Sequence, residues 1–302
     1  MTLAAALSWD PVTDLLQMWS FPFMVNAFCA GTIVAVLAGV VGHFMVLRQQ
    51  SFVGHTLSVI GFPGAAGAVG IGVAASYGYF AFCLGGALVI AALPRTGSGG
   101  YSEESAVTGM VQAFALACGF LFVARYKGFL NSITALLFGN FLGITTEQVA
   151  LLGVVAAIAL AVLVVIGRPL AFASIDPDVA SARHVPVRAL SVAFLVLLGA
   201  ATAEASQITG TLLVFALLVM PAATAQALSA RPVTALALTI TIGLIVTWLG
   251  LSVAYYAPFP VGFFVTSFAF AGYVGAQMLR HARWQWRTST TPARASTTRA
   301  TP

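Results

Sequence analysis

The sequence predicts an all-α membrane protein with about nine transmembrane helices, within a range of about eight to ten. Of its 302 residues, 60% are apolar and only 7% are charged, and the mean hydropathy is +0.99. A soluble domain carries about a quarter of its residues as charged side chains, so this chain has too few to cover a water-facing surface. Its length suffices for about nine helices of the roughly 20 residues that cross the hydrocarbon core of a bilayer.

Nine apolar runs along the chain are the predicted spans. They cover residues 22–46, 53–76, 77–94, 106–124, 149–167, 188–204, 208–229, 233–256 and 261–279. A further segment, 129–143, is too short and too polar for a predicted crossing, and we expect an interfacial or re-entrant helix there. The predicted organisation is an extracytoplasmic segment over 1–20, a transmembrane domain over 21–279 and a basic, disordered tail over 280–302.

The distribution of basic residues predicts that the N-terminus lies outside and the C-terminus lies in the cytoplasm. With nine spans threaded in this direction, eleven arginines fall on the cytoplasmic side and only Arg125 and Lys127 fall outside, as the positive-inside rule requires. The eleven are Arg48, Arg95, Arg168, Arg183, Arg188, Arg231, Arg280, Arg283, Arg287, Arg294 and Arg299. The basic tail is the flank of a membrane helix, and no nucleic-acid partner is expected.

The cytoplasmic connection 168–188 contains a local signal for a short helix outside the bilayer. Asp176 is followed by Pro177. An acidic N-cap with proline at the first helical position is a favourable helix start. We therefore expect a helix over about residues 177–184.

Four stretches of the sequence resemble the permease subunits of the ABC importers for zinc, manganese and iron. They are VLRQQSFVGHTLSVIGFPGAA at 46–66, LLFGN at 136–140, DPDVASARHVPVRAL at 176–190 and TGTLLVFALLVMPAATA at 209–225. Their order and spacing agree with that family over about residues 20–280. The resemblance implies a type II ABC-importer-like permease, placed as a multi-pass protein in the bacterial cytoplasmic membrane.

The resemblance also implies partners. These are a cytoplasmic ABC ATPase subunit, an extracytoplasmic metal-binding lipoprotein and a second permease copy, most simply as a homodimer. The segment 176–190 would dock on the ATPase. The residues expected to couple this segment to the ATPase are Asp176, Asp178, Ala180, His184 and Val185. His184 stands where glycine is common in the family. The sequence has no phosphate-binding G-x-x-x-x-G-K-[ST] loop, so we expect a transport subunit that is not itself an enzyme and binds no cofactor.

The family's usual ligand pair is altered in this sequence. Related permeases usually carry an aspartate and a histidine four residues apart in the second span, where both side chains face one point. His55 and Val59 occupy those positions here. A neutral imidazole can bind a transition metal and valine cannot, so His55 is either a weak metal ligand or a hydrogen-bonded packing histidine.

Other polar or irregular positions are candidates for the translocation path. Asn26 either lines the path or forms an inter-helix hydrogen bond. Pro63 and Gly64 either kink the second span along the path or allow close helix packing, and the two roles are compatible. Glu204 is expected near the outer end of the sixth span, where it either attracts cations or is an exposed loop carboxylate.

The function predicted from these features is that of a permease subunit of an ATP-driven importer of divalent metal ions. A second hypothesis keeps the fold but changes the cargo to a chelated metal or a non-metal solute, because the Asp/His pair is replaced. The remote alternative is an ATP-independent membrane transporter or an intramembrane enzyme. The chain has no H-E-x-x-H sequence and few carboxylates within its spans.

Overall fold

The structure, a computed structural model, describes residues 17–93, 100–125, 136–139, 141–211, 213–257 and 259–289. Its helices in chain order are α1 (Pro22–Leu47), α2 (Ser51–Gly70), α3 (Ala75–Ala92), α4 (Gly100–Arg125), α5 (Thr146–Ile175), α6 (Pro177–Ala182), α7 (Val187–Thr209), α8 (Val214–Leu228), α9 (Pro232–Tyr256) and α10 (Val261–Ser289). A 3₁₀ turn at Phe141–Gly143 precedes α5.

The membrane class predicted from composition is confirmed. Within the described residues, eight helices are long and apolar enough to cross a bilayer, and these are α1 to α5, α7, α9 and α10. The seventh predicted span was wrong in extent, because α8 has only 15 residues. At 1.5 Å per residue it is about 22 Å long, shorter than the roughly 30 Å of hydrocarbon.

Two helices form the centre of the bundle. α1 packs against α5, α7, α8 and α9, while α7 packs against α2 and α3 on its other side. The apolar windows of α7 and α1 are 72% and 61% buried, whereas that of α4 is 17% buried. An apolar helix in lipid has no solvent-driven preference for the interior, so small residues and polar pairs determine which helices are central.

Several helix ends follow directly from local sequence. Proline occupies the first position of α1, α6 and α9, where its missing N–H costs no hydrogen bond. At the start of α5, Thr145 accepts a hydrogen bond from the Gln148 backbone N–H at 3.3 Å, and the Gln148 side chain accepts from the Thr145 N–H at 3.0 Å. This reciprocal capping box satisfies two otherwise unpaired donors.

The bundle has two distinguishable ends. At the first, called the α6 end, α1 finishes, α2 begins, and α5, α6 and α7 follow one another. At the opposite end, α2 is followed by α3, and α5 begins. α5 has 30 residues and is therefore about 45 Å long, so its last turns extend beyond a bilayer core toward α6.

Some predicted segments differ from the structure or fall outside it. α10 continues as a helix to Ser289, so the first part of the predicted tail is helical. Residues 1–16, 95–99, 129–135 and 290–302 lie outside the described residues, and so does Asn140 of the predicted re-entrant segment.

Candidate functional site

A break in the helical backbone separates α7 from α8 inside the bundle. Gly210 ends α7 with a φ of +74°, in the left-handed region that favours glycine. The helix resumes only at Val214. Irregular backbone at membrane depth is tolerated where it is enclosed by protein or lines a cavity, and Thr209 and Thr211 are both buried. The predicted continuous span over 208–229 is therefore two pieces.

A second chain segment packs directly against this break. Gly139 also has a positive φ, +81°. A Cβ added at Gly139 would collide with the backbone of Ile208, Thr209 and Gly210, and one added at Gly210 would collide with the backbone of Leu137, Phe138 and Gly139. The Leu136 carbonyl accepts hydrogen bonds from the Tyr79 hydroxyl at 2.9 Å and the Thr211 N–H at 3.4 Å.

This contact unites two of the four family-like stretches, LLFGN and TGTLL, which sequence reasoning treated separately. The backbones touch because both glycines lack a side chain at the crossing. The sequence carried a weak signal for this contact, since each stretch has a glycine beside polar residues within an apolar run.

His55 lies on α2 next to the start of α8. Its ring meets the Phe215 ring edge-on, with centroids 5.3 Å apart and an interplanar angle of 81°. The side chain is partly exposed, as is Val59 one turn further along the same face. Within the described residues no group of three or more His, Cys, Asp or Glu side chains is placed to hold a metal ion. His55 therefore offers at most one imidazole ligand beside the broken helix.

Pro63 and Gly64 belong to the packed side of α2. A Cβ on Gly64 would meet the Gly78 carbonyl and Phe82 of α3, and Pro63 approaches Gly119 of α4. Gly64 is nine residues beyond His55, which places it on the opposite face of the helix. These contacts fit the close-packing role. Whether Pro63 and Gly64 also shape the path stays a prediction.

Asn26 forms an inter-helix hydrogen bond. Its Nδ2 donates to the Ile144 carbonyl at 3.2 Å and lies 3.4 Å from the Thr146 hydroxyl. Ile144 directly precedes α5 and Thr146 is its first residue, so the amide links α1 to the start of α5 at the opposite end. This is one of the two roles predicted for Asn26, and a part in the path stays a prediction.

Glu204 is not an exposed loop carboxylate, and that expectation was wrong. α7 continues to Thr209, so Glu204 lies within the helix and is fully buried. Among the described residues, neither carboxylate oxygen has a hydrogen-bond partner. A buried, unpartnered carboxyl group costs free energy, and such residues inside membrane helices commonly mark functional positions.

The short helix predicted at the Asp-Pro pair is present as α6. The Asp176 carboxylate accepts a hydrogen bond from the Val179 N–H at 3.0 Å. Asp178 is exposed, whereas Ala180 is fully buried and Val185 packs against the core. In the part of the chain that the structure describes, α6 packs mainly against its chain neighbours α5 and α7. Its other face, which carries Asp178 and Val179, is exposed.

His184 ends α6 in a strained backbone conformation. Its φ is +62°, and the Val185 N–H donates to the Ala180 carbonyl while the His184 N–H donates to the Ser181 carbonyl, at 3.1 and 3.0 Å. This is the Schellman arrangement, in which glycine is the usual residue at the left-handed position. The geometry explains why a glycine would be favourable where this chain has histidine.

Comparison with known proteins gives consistent results. A family model described as the ABC 3 transport family matches residues 20–280. The manganese transport system membrane protein MntC of Halalkalibacterium halodurans is 28% identical over 76% of this chain and 77% of its own length. The chelated iron transport system membrane protein YfeC of Yersinia pestis is 29% identical over 80% and 81%.

A solved structure has the same architecture. It is PsaBC from Streptococcus pneumoniae in complex with Fab, which superposes with a TM-score of 0.78 and 26% identity. The superposition covers 90% of this chain and 99% of that chain.

Proposed function

This chain belongs to the ABC 3 transport family, and we propose that it imports a divalent metal ion when a separate ATPase acts on α6. It is a multi-pass permease of the metal-importer class. The relatives named for manganese and for chelated iron support manganese or iron as the cargo, and zinc stays a prediction from the sequence resemblance. The ATPase, the metal and the direction of transport are the parts that we propose.

The observation that carries the proposal is the construction of α6. Asp176 caps its N-terminus, and the buried Ala180 anchors one of its faces against the bundle. A force applied to the exposed face therefore passes to α5 and α7, which flank α6 in the chain. α7 is the most buried of the candidate spans and ends at the Gly210 break. Movement at α6 thereby reaches the irregular segment beside His55.

The proposed orientation places α6 in the cytoplasm, with the N-terminus outside. The bias of basic residues toward that side supports it. In that arrangement the ATPase binds at the α6 end, and a metal-binding lipoprotein delivers cargo at the opposite end. A second copy of the permease completes the path, because His55 alone is a poor site for a cation.

The cargo hypothesis has one specific competitor. Val59 contributes no ligand, and no larger ligand cluster exists in the part of the chain that the structure describes. A chelated metal needs fewer protein ligands than a bare ion because its own chelator supplies them. The fold is compatible with either cargo.

Matched charge reversals test the role of α6. Asp178 and Glu147 are both exposed carboxylates in the first turn of a helix, at opposite ends of the bundle. Asp178→Lys should lower ATP-driven metal uptake in proteoliposomes by about tenfold or more by weakening the ATPase contact. Glu147→Lys loses the same helix-dipole interaction and should leave uptake near wild type. Equal effects of both variants, or uptake without any ATPase, would contradict the proposal.

Cysteine labelling tests the orientation independently. In a background without the three native cysteines, Ser181→Cys should react with a membrane-impermeant maleimide only in inverted vesicles. Glu147→Cys should react only in intact cells. The reverse pattern would place α6 outside the cell and remove the basis for ATPase docking.

Side-chain truncations distinguish the two cargoes. His55→Ala and Val59→Ala remove neighbouring groups from the same face of α2. If a bare ion is carried, His55→Ala should lower uptake of radioactive manganese or iron far more than Val59→Ala does. If the two variants transport the free ion equally well and His55→Ala also leaves uptake of a chelated metal unchanged, His55 is not a ligand.

A further inference from the structure

Arg48 stands at the junction between α1 and α2, at the α6 end of the bundle. It is the C-cap residue of α1, and Gln49 follows with a φ of +58°. The Gln50 N–H donates to the Met45 carbonyl at 2.9 Å and the Gln49 N–H donates to the Val46 carbonyl at 3.1 Å. This Schellman arrangement holds α1 and α2 in a three-residue turn, so a displacement of the turn moves both helices.

The Arg48 guanidinium contacts two other helices, α5 and α7, and a neighbour within its own turn. Nη1 donates to the Ser174 hydroxyl at 3.2 Å, and Nη2 donates to the Ser191 hydroxyl at 2.8 Å. Nε donates to the side-chain oxygen of Gln50 at 3.2 Å. The planar group also lies over the Phe194 ring, 5.4 Å from its centroid, at a distance suited to a cation–π interaction.

The two serines flank α6 in the sequence. Ser174 lies in the last turn of α5, two residues before the N-cap of α6. Ser191 lies in the first turns of α7, after the chain has left α6. A single side chain therefore binds the helix that enters α6, the helix that leaves it and the α1–α2 turn.

We propose that Arg48 is the positioning residue that transmits displacement of α6 to the α1–α2 turn and so to His55, five residues beyond Gln50. This inference rests on the proposed function, because it requires an ATPase that moves α6. Arginine suits the role because its donors form a rigid fork that binds several acceptors at fixed angles, whereas lysine has a flexible point charge. Without the fork, displacement of α5 and α7 reaches the α1–α2 turn and α2 only through helix packing.

Arg48→Lys is the main test, because it keeps the positive charge and loses the fork. Arg168→Lys is the matched control, since Arg168 is an exposed arginine at the same end of the bundle. The measurement is metal transported per ATP hydrolysed by the assembled complex in proteoliposomes. Arg48→Lys should lower that ratio by about tenfold, which corresponds to the loss of one or two charge-assisted hydrogen bonds. ATPase binding and basal ATP hydrolysis should stay within about twofold of wild type. Arg168→Lys should leave the ratio unchanged.

Single acceptor deletions give a readout that a purely structural role would not produce. Ser174→Ala and Ser191→Ala should each lower the transport ratio, and neither should lower it further when combined with Arg48→Lys, because the fork is already lost.

The outcomes separate the two proposals. The role of Arg48 would be overturned if Arg48→Lys transported as much metal per ATP as the wild type. It would also be overturned if the serine substitutions lowered that ratio further in the Arg48→Lys background, or if Arg48→Lys lost ATPase binding and thermal stability in parallel with transport. Absence of ATP-driven uptake by the wild-type complex would instead overturn the proposed function itself.

Discussion

Gly210→Ala tests whether the glycine contact between segment 136–139 and the break between α7 and α8 holds the site together. The substitution adds one methyl group at a φ of +74° and directs it against the backbone of Leu137, Phe138 and Gly139. Backbone atoms cannot rotate away as a flexible side chain can. The segment 136–139 must therefore shift for the methyl group to fit.

The expected loss of unfolding free energy in Gly210→Ala has two separable parts. A left-handed conformation costs an L-residue about 1 to 2 kcal/mol relative to glycine. Overpacking against atoms that cannot relax adds about 1 to 3 kcal/mol. Gly72 isolates the cost of a positive φ, because its φ is +79° and no described residue lies within 4 Å of its added Cβ. Gly72→Ala should therefore cost about 1 to 2 kcal/mol and Gly210→Ala about 2 to 5 kcal/mol.

Thermal unfolding of the purified protein in detergent measures the difference. At about 2 °C per kcal/mol, the midpoint should fall by about 2 to 4 °C for Gly72→Ala and by about 4 to 10 °C for Gly210→Ala. Gly139→Ala should resemble Gly210→Ala, and the double variant should lose less than the sum, because one displacement of segment 136–139 relieves both clashes. Equal midpoints for Gly72→Ala and Gly210→Ala, or full additivity in the double variant, would refute the direct contact.

Three further substitutions address single groups. His184→Gly should stabilise the protein by about 1 kcal/mol because glycine removes the left-handed strain at the end of α6. The thermal midpoint should therefore rise by about 2 °C. A lower midpoint would mean that the imidazole makes a stabilising contact. Glu204→Met should raise the thermal midpoint, since it removes a buried carboxyl group whose desolvation costs about 1 to 3 kcal/mol. The same substitution should lower metal uptake. Unchanged uptake would exclude Glu204 from the path. His55→Asp combined with Val59→His restores the ligand pair usual in related permeases. It should increase the amount of metal retained by the purified complex, measured by elemental analysis. No increase would mean that this face of α2 does not contact the cargo.

Local features of the sequence were sufficient for most of the helices and for α6. Hydropathy located all eight long membrane helices, because burial in lipid acts on each segment separately. It missed the ends of α5 and α10, which continue to Ile175 and Ser289, well beyond the predicted spans 149–167 and 261–279. The Asp176–Pro177 pair predicted the start of α6 correctly, since a cap and its first turn lie within four residues of each other. His184 was identified as unusual only by comparison with the family, and the backbone then gave the reason.

The extent of α8 could not be predicted in the same way. Residues 208–229 form one apolar run, and hydropathy does not distinguish a continuous crossing from two pieces joined by a buried break. The break is stable because segment 136–139, about 70 residues earlier in the chain, packs against it and accepts the Thr211 N–H. The burial of Glu204 was missed for a related reason, since its surroundings come from other helices.

The sequence by itself therefore determined that this protein lies in a membrane, where its helices run and which short helix projects from it, because hydrophobicity and helix capping are local. The tertiary structure decided which distant residues meet: Gly139 with Gly210, His55 with Phe215, and Arg48 with Ser174 and Ser191. In lipid, apolar side chains face the bilayer and the interior with nearly equal free energy. Close backbone contacts and a small number of polar pairs therefore determine how the helices assemble, and these connect residues far apart in the chain.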